Sequence, residues 1–554
     1  MTRQHNELDR LLHAAWGRFG GGMSPAALML AWSDWAVHFA TQPGRGAGLA
    51  LHQALPLASP QEPAARLAAH EWAAWPFCVY REAFESGGRR LLELVRDVPG
   101  VDRHHEQLVA FTVRQWLEMV SPANFPATNP QVLKKAAATA GMSLLTGALQ
   151  GTEDLLRGTF GMPQAGAEAF RPGHEVALTP GKVIMRNELV ELIQYAPSTP
   201  TVHAEPVLVV SAWIMKYYVL DLSPHNSLIR YLVGQGHTVF AVSWKNPAAA
   251  DAGFGMDDYL RLGIRASLDA VEAVVPGHRV HALGYCLGGT LMAIAAAAMA
   301  RDGEDRLASL SLLAAQTDFT EPGEIGLFID ESQLAFLEDV MAYQGFLGAA
   351  QMAAAFQSLR PGELIWAPLV RTWLLGERQA PNDLMAWNAD GTRMPYRMHA
   401  DYLRSLFLEN ALAEGRYLVD GRPVSLGDID VAVFLLGTRT DHVAPWRSVY
   451  KFNLLCDSDV SFVLTEGGHN AGIVSEPGHA HRSYRVLRRR RHGAYVPPDD
   501  FLEQSREVEG SWWPGFHQWL AAQSGPRRRP PALGAPRRGL APLCEAPGTY
   551  VLMR

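Results

Sequence analysis

A chain of 554 residues is long enough for more than one domain. Nearly half is hydrophobic (48%) and 19% is charged, the balance of an ordinary globular enzyme, and a net charge of −7 argues against a general nucleic-acid binder. Four scattered cysteines, Cys78, Cys286, Cys456 and Cys544, supply neither a disulfide framework nor a zinc-ligand spacing, which fits a reducing, cytoplasmic setting.

Met1 to Arg10 is polar and has no apolar core, so no signal peptide is expected. No stretch reaches the ~20 apolar residues a transmembrane helix needs. Leu8 to Gln42 reads as helix, with Ser24 as cap and Pro25 in the first turn. Leu28, Trp32, Trp35 and Phe39 then form one apolar stripe, the mark of core packing. Gly44 to Pro63, rich in Gly, Pro and Ala, is expected to be a linker. Ala64 to Gly158 returns to helix, interrupted by turn formers from Ser121 to Pro130. Residues 1–175 are thus expected to be a mainly helical N-terminal region.

The pattern then changes. Strands are expected at Val183–Met185, Leu192–Tyr195, Val207–Val210, Thr238–Trp244, Arg279–Leu283 and Leu310–Ala314. Helices alternate with them at Leu228–Gly234, Leu260–Val274 and Thr290–Ala300, which predicts a mostly parallel, doubly wound α/β sheet. Residues 324–427 break the alternation and read as a helical cap. It resumes at Val431–Leu436 and Val460–Leu464. The catalytic domain is expected over 176–525, followed by an extended C-terminal tail over 526–554 rich in Pro, Arg and Gly.

Gly284-Tyr285-Cys286-Leu287-Gly288-Gly289 lies where a strand turns sharply into an alanine-rich helix. That is the setting of a nucleophile elbow, here with cysteine at its centre. Such a turn exposes Cys286 and aims the backbone N–H of Leu287 at a developing oxyanion. Asp441 and His469 each follow a later strand. The order Cys286, Asp441, His469 is the nucleophile–acid–base order of an α/β-hydrolase fold. The first gap leaves room for a cap, and the second fits one helix and one strand. His469 would take the thiol proton, and Asp441 would orient the imidazole or act separately on a hydroxyl. A cysteine nucleophile suits thioester exchange, because one thiolate replaces another at similar energy.

On these motifs the chain resembles the class I polyhydroxyalkanoate synthases. The resemblance includes Gly284 to Thr290, Lys216 to Leu222, Gln235 to Phe240, Trp387-Asn388-Ala389-Asp390-Gly391-Thr392 and Gly510-Ser511-Trp512-Trp513-Pro514. The Ser121 to Pro130 loop and the Leu8 to Pro43 segment resemble N-terminal parts of the same family. The resemblance implies acyl transfer from (R)-3-hydroxyacyl-CoA to a growing polyester, with Cys286 carrying the acyl group or chain. It implies an oxyanion hole from the backbone N–H groups of Leu287 and Ile214, and places Arg360, Trp387 and His442 near the substrate path. No cofactor or metal is expected, since CoA arrives on the substrate and leaves. A homodimer in the cytoplasm, associated with polyester granules, is implied as well.

Three departures stand out. Asn246-Pro247-Ala248 lacks the acidic residue common after Asn-Pro, Asn470 occupies a position often apolar, and Arg482 to Arg491 holds six arginines. That basic run could meet CoA phosphates or a granule surface, or be a solvated face. The competing functions are a thioesterase or polyester depolymerase of the same fold, and a non-catalytic granule-associated paralogue.

Overall fold

The computed structural model describes residues 12, 13, 16, 23–54 and 64–554. By internal contacts the chain divides into two units. The first comprises Met1–Gly166, Asp330–Leu337 and Ala350–Ala380; the second comprises Ala167–Ile329, Glu338–Ala349 and Pro381–Arg554.

The first unit is helical. Helix α1, Pro25–Ala40, starts as its sequence suggests: Ser24 Oγ accepts the Ala27 N–H at 3.3 Å and Pro25 opens the first turn. The stripe is centred on Ala27 and Ala31, fully buried, with Leu28, Trp32 and Trp35 packed alongside. The expected linker is corrected here, because Pro43–Ala54 is a second helix, α2. Pro43 fits a first helical turn, and the Ala, Leu and Gln that follow outweigh three glycines. The rest of that stretch, 55–63, lies outside the described residues, as does most of Leu8 to Met23.

Helix α3 (Phe77–Val95) and helix α4 (Arg103–Val120) complete the core around α1, through Val95, Leu108, Val109 and Ala110. Asp102 caps α4 by accepting the His104 N–H at 2.8 Å. The turn-former loop is tied down by its own amides. Asn124 donates to the carbonyls of Glu118 and Met119, and Asn129 caps α5, Pro130–Ala138. Helix α6, Met142–Thr159, packs within this unit against Val370–Leu374. Arg378 pairs with Asp154 at 2.8 Å and Glu153 at 3.2 Å, and Trp373 Nε1 donates to Asp154 at 3.1 Å. The insertion expected as one cap over 324–427 is therefore divided, with 330–337 and 350–380 belonging to the helical unit.

The second unit is built on one eleven-stranded sheet. Its strands are β1 (Gly181–Arg186), β2 (Val190–Tyr195), β3 (Val207–Val210), β4 (Val239–Trp244), β5 (Val280–Tyr285), β6 (Leu307–Leu313), β7 (Ala432–Thr438), β8 (Val460–Thr465), β9 (Ser483–Arg489), β10 (Arg506–Glu509) and β11 (Cys544–Glu545). The order across the sheet is β10-β9-β8-β7-β6-β5-β3-β4-β2-β1-β11. The centre, β4-β3-β5-β6-β7-β8, is parallel throughout, and the flanking strands are antiparallel. Strands β3, β4 and β5 are buried at every position, as a sheet covered on both faces requires. Helices α7 (Leu228–Gly234), α8 (Ala266–Val274), α9 (Leu287–Asp302) and α10 (Trp513–Ala522) belong to this unit.

Two features were not legible in the residue pattern. The arginine run 482–491 is mostly a strand, β9, because its charges have partners beside it: Arg485 meets Glu507 at 2.5 Å and Arg488 meets Asp459 at 2.6 Å. The tail is held more firmly than an extended surface segment. Its β11 pairs with β1, Val551 is buried, and Thr549 and Tyr550 donate backbone N–H groups to the fully buried Glu191. Among the described residues no helix is long and apolar enough to cross a membrane.

Candidate active site

The second unit places Cys286 in the turn between β5 and α9. Its backbone adopts φ 53° and ψ −125°, a strained conformation for a residue with a side chain. The surroundings hold it there. Cys286 N–H donates to the Leu313 carbonyl at 2.9 Å, and its own carbonyl accepts from Gly289 and Thr290. Two glycines are required by contact. A Cβ on Gly284 would lie 2.4 Å from Gly289 Cα, and one on Gly288 would lie 2.2 Å from the Val210 carbonyl oxygen. The start of α9 thus sits directly on the end of β3. Leu287 is the first residue of α9, where helix amides lack intrahelical acceptors and carry partial positive charge.

Asp441 lies in the turn after β7, and His469 in the glycine-containing loop after β8. His469 Nδ1 is 2.7 Å from Asp441 Oδ2, although the residues are 28 apart in the chain. Asp441 is closed off from solvent, and each carboxylate oxygen is engaged. Oδ2 also accepts from Thr438 Oγ1 at 2.8 Å, and Oδ1 accepts the N–H groups of Val443 and Ala444 at 2.8 and 2.9 Å. Burial alone would raise the Asp441 carboxyl. The His469 charge and these hydrogen bonds outweigh it and hold it below the usual carboxylate range. Burial alone would depress the His469 imidazole. The charges of Asp441 and Cys286, with the hydrogen bond to Asp441, outweigh this and raise it well above its ordinary value. Asp441 and His469, proposed from sequence, are thus in direct contact, and Cys286 is near enough for its charge to act on His469.

The loop bearing His469 is tied from several sides. Arg482 donates to the carbonyls of Glu466 and Ala471, Trp512 to Gly472 and Trp513 to Ile473. Tyr285, beside the nucleophile, donates its hydroxyl to Asn470 Oδ1 at 2.5 Å, and Asn470 donates to Asn388 at 3.1 Å. The unusual Asn470 is thus a hydrogen-bonding member of the site. Sequence reasoning missed Tyr285, Arg482 and Tyr402. Tyr402 is buried, and burial together with the Cys286 charge pushes its hydroxyl up. Only the basic run hinted at Arg482; nothing in residue spacing marks Tyr402.

The loop after β3 carries Ile214. Thr392 holds it, donating its N–H to the Ile214 carbonyl at 3.1 Å and its hydroxyl to the Trp213 carbonyl. Trp387 is buried and donates Nε1 to the Lys216 carbonyl at 2.7 Å, so the motif 387–392 pins this loop. Asn246 accepts the Arg393 N–H at 3.0 Å and donates to the Met553 carbonyl. His442 follows Asp441 and is partly buried. Arg360 lies in the other unit, where its half-exposed guanidinium sits 3.7 Å from Glu363.

Sheet order, strained cysteine turn and the Asp441–His469 pair define an α/β-hydrolase-type enzyme, and the alpha/beta hydrolase fold family matches residues 205–476. Two narrower families match the N-terminal side: Poly-beta-hydroxybutyrate polymerase N terminal over residues 3–45, and Poly-beta-hydroxybutyrate polymerase (PhaC) N-terminus over residues 64–232. The chain belongs to the poly(3-hydroxyalkanoate) polymerase family. It is 40% identical to the Poly(3-hydroxyalkanoate) polymerase of Methylorubrum extorquens over 504 residues, covering 90% of this chain and 82% of that one. The Poly(3-hydroxyalkanoate) polymerase subunit PhaC of Rhizobium meliloti is 38% identical, with 88% and 79% covered. That of Cupriavidus necator is 37% identical, with 85% and 80% covered.

Proposed function

We propose that this chain polymerises (R)-3-hydroxyacyl groups delivered as CoA thioesters, with Cys286 as nucleophile, His469 as base and Asp441 as the group that orients His469. The observation that carries the reading is the 2.7 Å hydrogen bond between His469 and the buried Asp441, with Cys286 on its strained turn near enough for its charge to act on His469. In the first step the Cys286 thiolate attacks the acyl-CoA carbonyl. The oxyanion faces the amide of Leu287 and that of Ile214, the carbon–sulfur bond to CoA breaks, and CoA leaves as a thiolate that takes up a proton. In the second step the 3-hydroxyl of another unit attacks the enzyme thioester. His469 takes the hydroxyl proton, an ester forms and the Cys286 sulfur is released.

Asp441 fits an orienting role because its carboxylate oxygens are already bonded to His469, Thr438 and two amides. Trp387 and His442 belong in this reading to the substrate path. The reading includes association with the polyester granule and a homodimer, and requires no cofactor.

The test is CoA release from (R)-3-hydroxybutyryl-CoA, with polymer and free acid measured in parallel, for wild type and Cys286→Ala. Release with polymer, abolished in the variant, is expected. Release with free acid alone would make the protein a thioesterase. Release undiminished in Cys286→Ala would remove the nucleophile assignment.

A further inference from the structure

Far from Cys286, at the opposite ends of the parallel strands, three histidines converge. His203 precedes β3, His237 immediately precedes β4, and His517 lies on α10. One ring nitrogen from each lies within 4.8 Å of the others. His237 Nε2 and His517 Nδ1 are 3.1 Å apart, and the rings of His203 and His237 stack at 4.5 Å. His203 and His237 are buried, at 8% and 1% exposure, while His517 is partly open to solvent.

Hydrogen bonds within the cluster and to Arg527 leave it incompletely satisfied. His237 Nδ1 is buried and has no partner. Nearby His281 shows the contrast: Ser309 and Ser524 occupy its two nitrogens at 2.8 and 2.9 Å, which removes it as a ligand. Imidazole binds metal through a neutral ring nitrogen, and each of the three clustered rings offers one toward the others. Two further charges face them. Arg527 approaches His203 Nε2 at 3.4 Å, and Glu205, which accepts the Gly525 N–H at 2.7 Å, supplies negative charge near His203.

We propose that His203, His237 and His517 form a site for one divalent transition-metal ion of the imidazole-binding class, with Zn²⁺ as the fitting member. Tetrahedral zinc with nitrogen ligands at 2.0–2.1 Å places those nitrogens ~3.4 Å apart. The His237–His517 pair is already near that spacing. The His203 nitrogen, within 4.8 Å of the other two, has to move closer to complete the triad. A water on the exposed side of His517 completes the shell. No proton has to leave the three rings; a tautomer shift frees the ligand nitrogens. The ion would clamp α10 to the leading ends of β3 and β4, remote from the chemistry. The sequence reading expected no metal; three histidines so far apart in the chain form no local ligand motif.

The test uses the full chain, stripped with chelator and dialysed, then titrated with Zn²⁺ by calorimetry and with Co²⁺ by visible absorption. The expected result is one ion per chain, the visible bands of tetrahedral nitrogen-ligated Co²⁺, and a melting temperature that rises with added Zn²⁺. His517→Ala, at a partly exposed position, should weaken Zn²⁺ at least ~100-fold, beyond the loss of an outer hydrogen-bond partner. CoA release by that variant reports that it is folded. Arg527→Ala should bind more tightly, because a like charge is gone. No ion bound by the wild type, or equal affinity in wild type, His203→Ala and His517→Ala, would overturn the assignment.

Discussion

Asp441→Asn separates the two roles open to this carboxylate. The asparagine oxygen can keep the Val443 and Ala444 amides, bound at 2.8 and 2.9 Å. Its NH₂ then replaces the oxygen that meets His469 Nδ1 at 2.7 Å and Thr438 Oγ1 at 2.8 Å. The threonine hydroxyl can rotate and accept. The imidazole must also accept at Nδ1, so its proton moves to Nε2, facing Cys286, and the base is blocked. In serine-protease triads the same change costs on the order of 10⁴ in kcat, about 5 kcal/mol of activation free energy. The charge that raises His469 also goes, so the imidazolium loses its main support. Single-turnover CoA release from (R)-3-hydroxybutyryl-CoA should slow by roughly that factor. Thiolate ultraviolet absorbance at neutral pH should fall, with the urea midpoint little changed. A first equivalent of CoA released at the wild-type rate, followed by failed elongation, would refute the orienting role and put Asp441 on the substrate hydroxyl.

Gly288→Ala drives a Cβ to 2.2 Å from the Val210 carbonyl oxygen, so a loss of about 3 kcal/mol or more is expected in urea melts, with CoA release abolished. Asn470→Ala leaves the Tyr285 hydroxyl without its 2.5 Å acceptor, which costs about 1–3 kcal/mol and should lower kcat more than it changes KM. Arg482→Met removes the charged bonds to Glu466 and Ala471, and should reduce kcat by about tenfold with faster amide exchange across 466–472. Burial depresses His237 to about 2 and His281 and His399 to about 4. Unfolded imidazoles titrate near 6.5, so below about pH 6.5 the unfolded chain binds more protons and stability falls with falling pH. The urea midpoint should drop between pH 7 and 5, less steeply in His399→Gln. His469 has the opposite sign: its raised value stabilises below about 6.5, and that contribution is lost as pH climbs through the raised value.

The central sheet could be read from residues because each parallel strand is buried on both faces and so is a short apolar run, as Val207–Val210 and Val460–Thr465 are. The edge strands could not. Arg485 and Arg488 make a strand only through Glu507 and Asp459, charges that local sequence does not bring into view. That Cys286, Asp441 and His469 each follow a strand was legible, because position after a strand is a local property. Tyr285 and Arg482 hold the same site through single bonds to one loop, and no spacing announces such a bond. The Gly44–Pro63 reading failed on Pro43–Ala54 because glycine count weighed more than the helix formers between the glycines.

Glu191 gives the second unit a direction in time. This carboxylate sits on β2 with no solvent exposure, and Thr549 and Tyr550, 358 and 359 residues later, supply three of its hydrogen bonds. During synthesis β2 leaves the ribosome long before those partners exist. Until they arrive, a buried charge meets only Arg186, and closing the edge of the sheet is unfavourable. A segment made some 358 residues later is thus a condition for completing an early strand, so this edge of the sheet closes only after Thr549 and Tyr550 have been made.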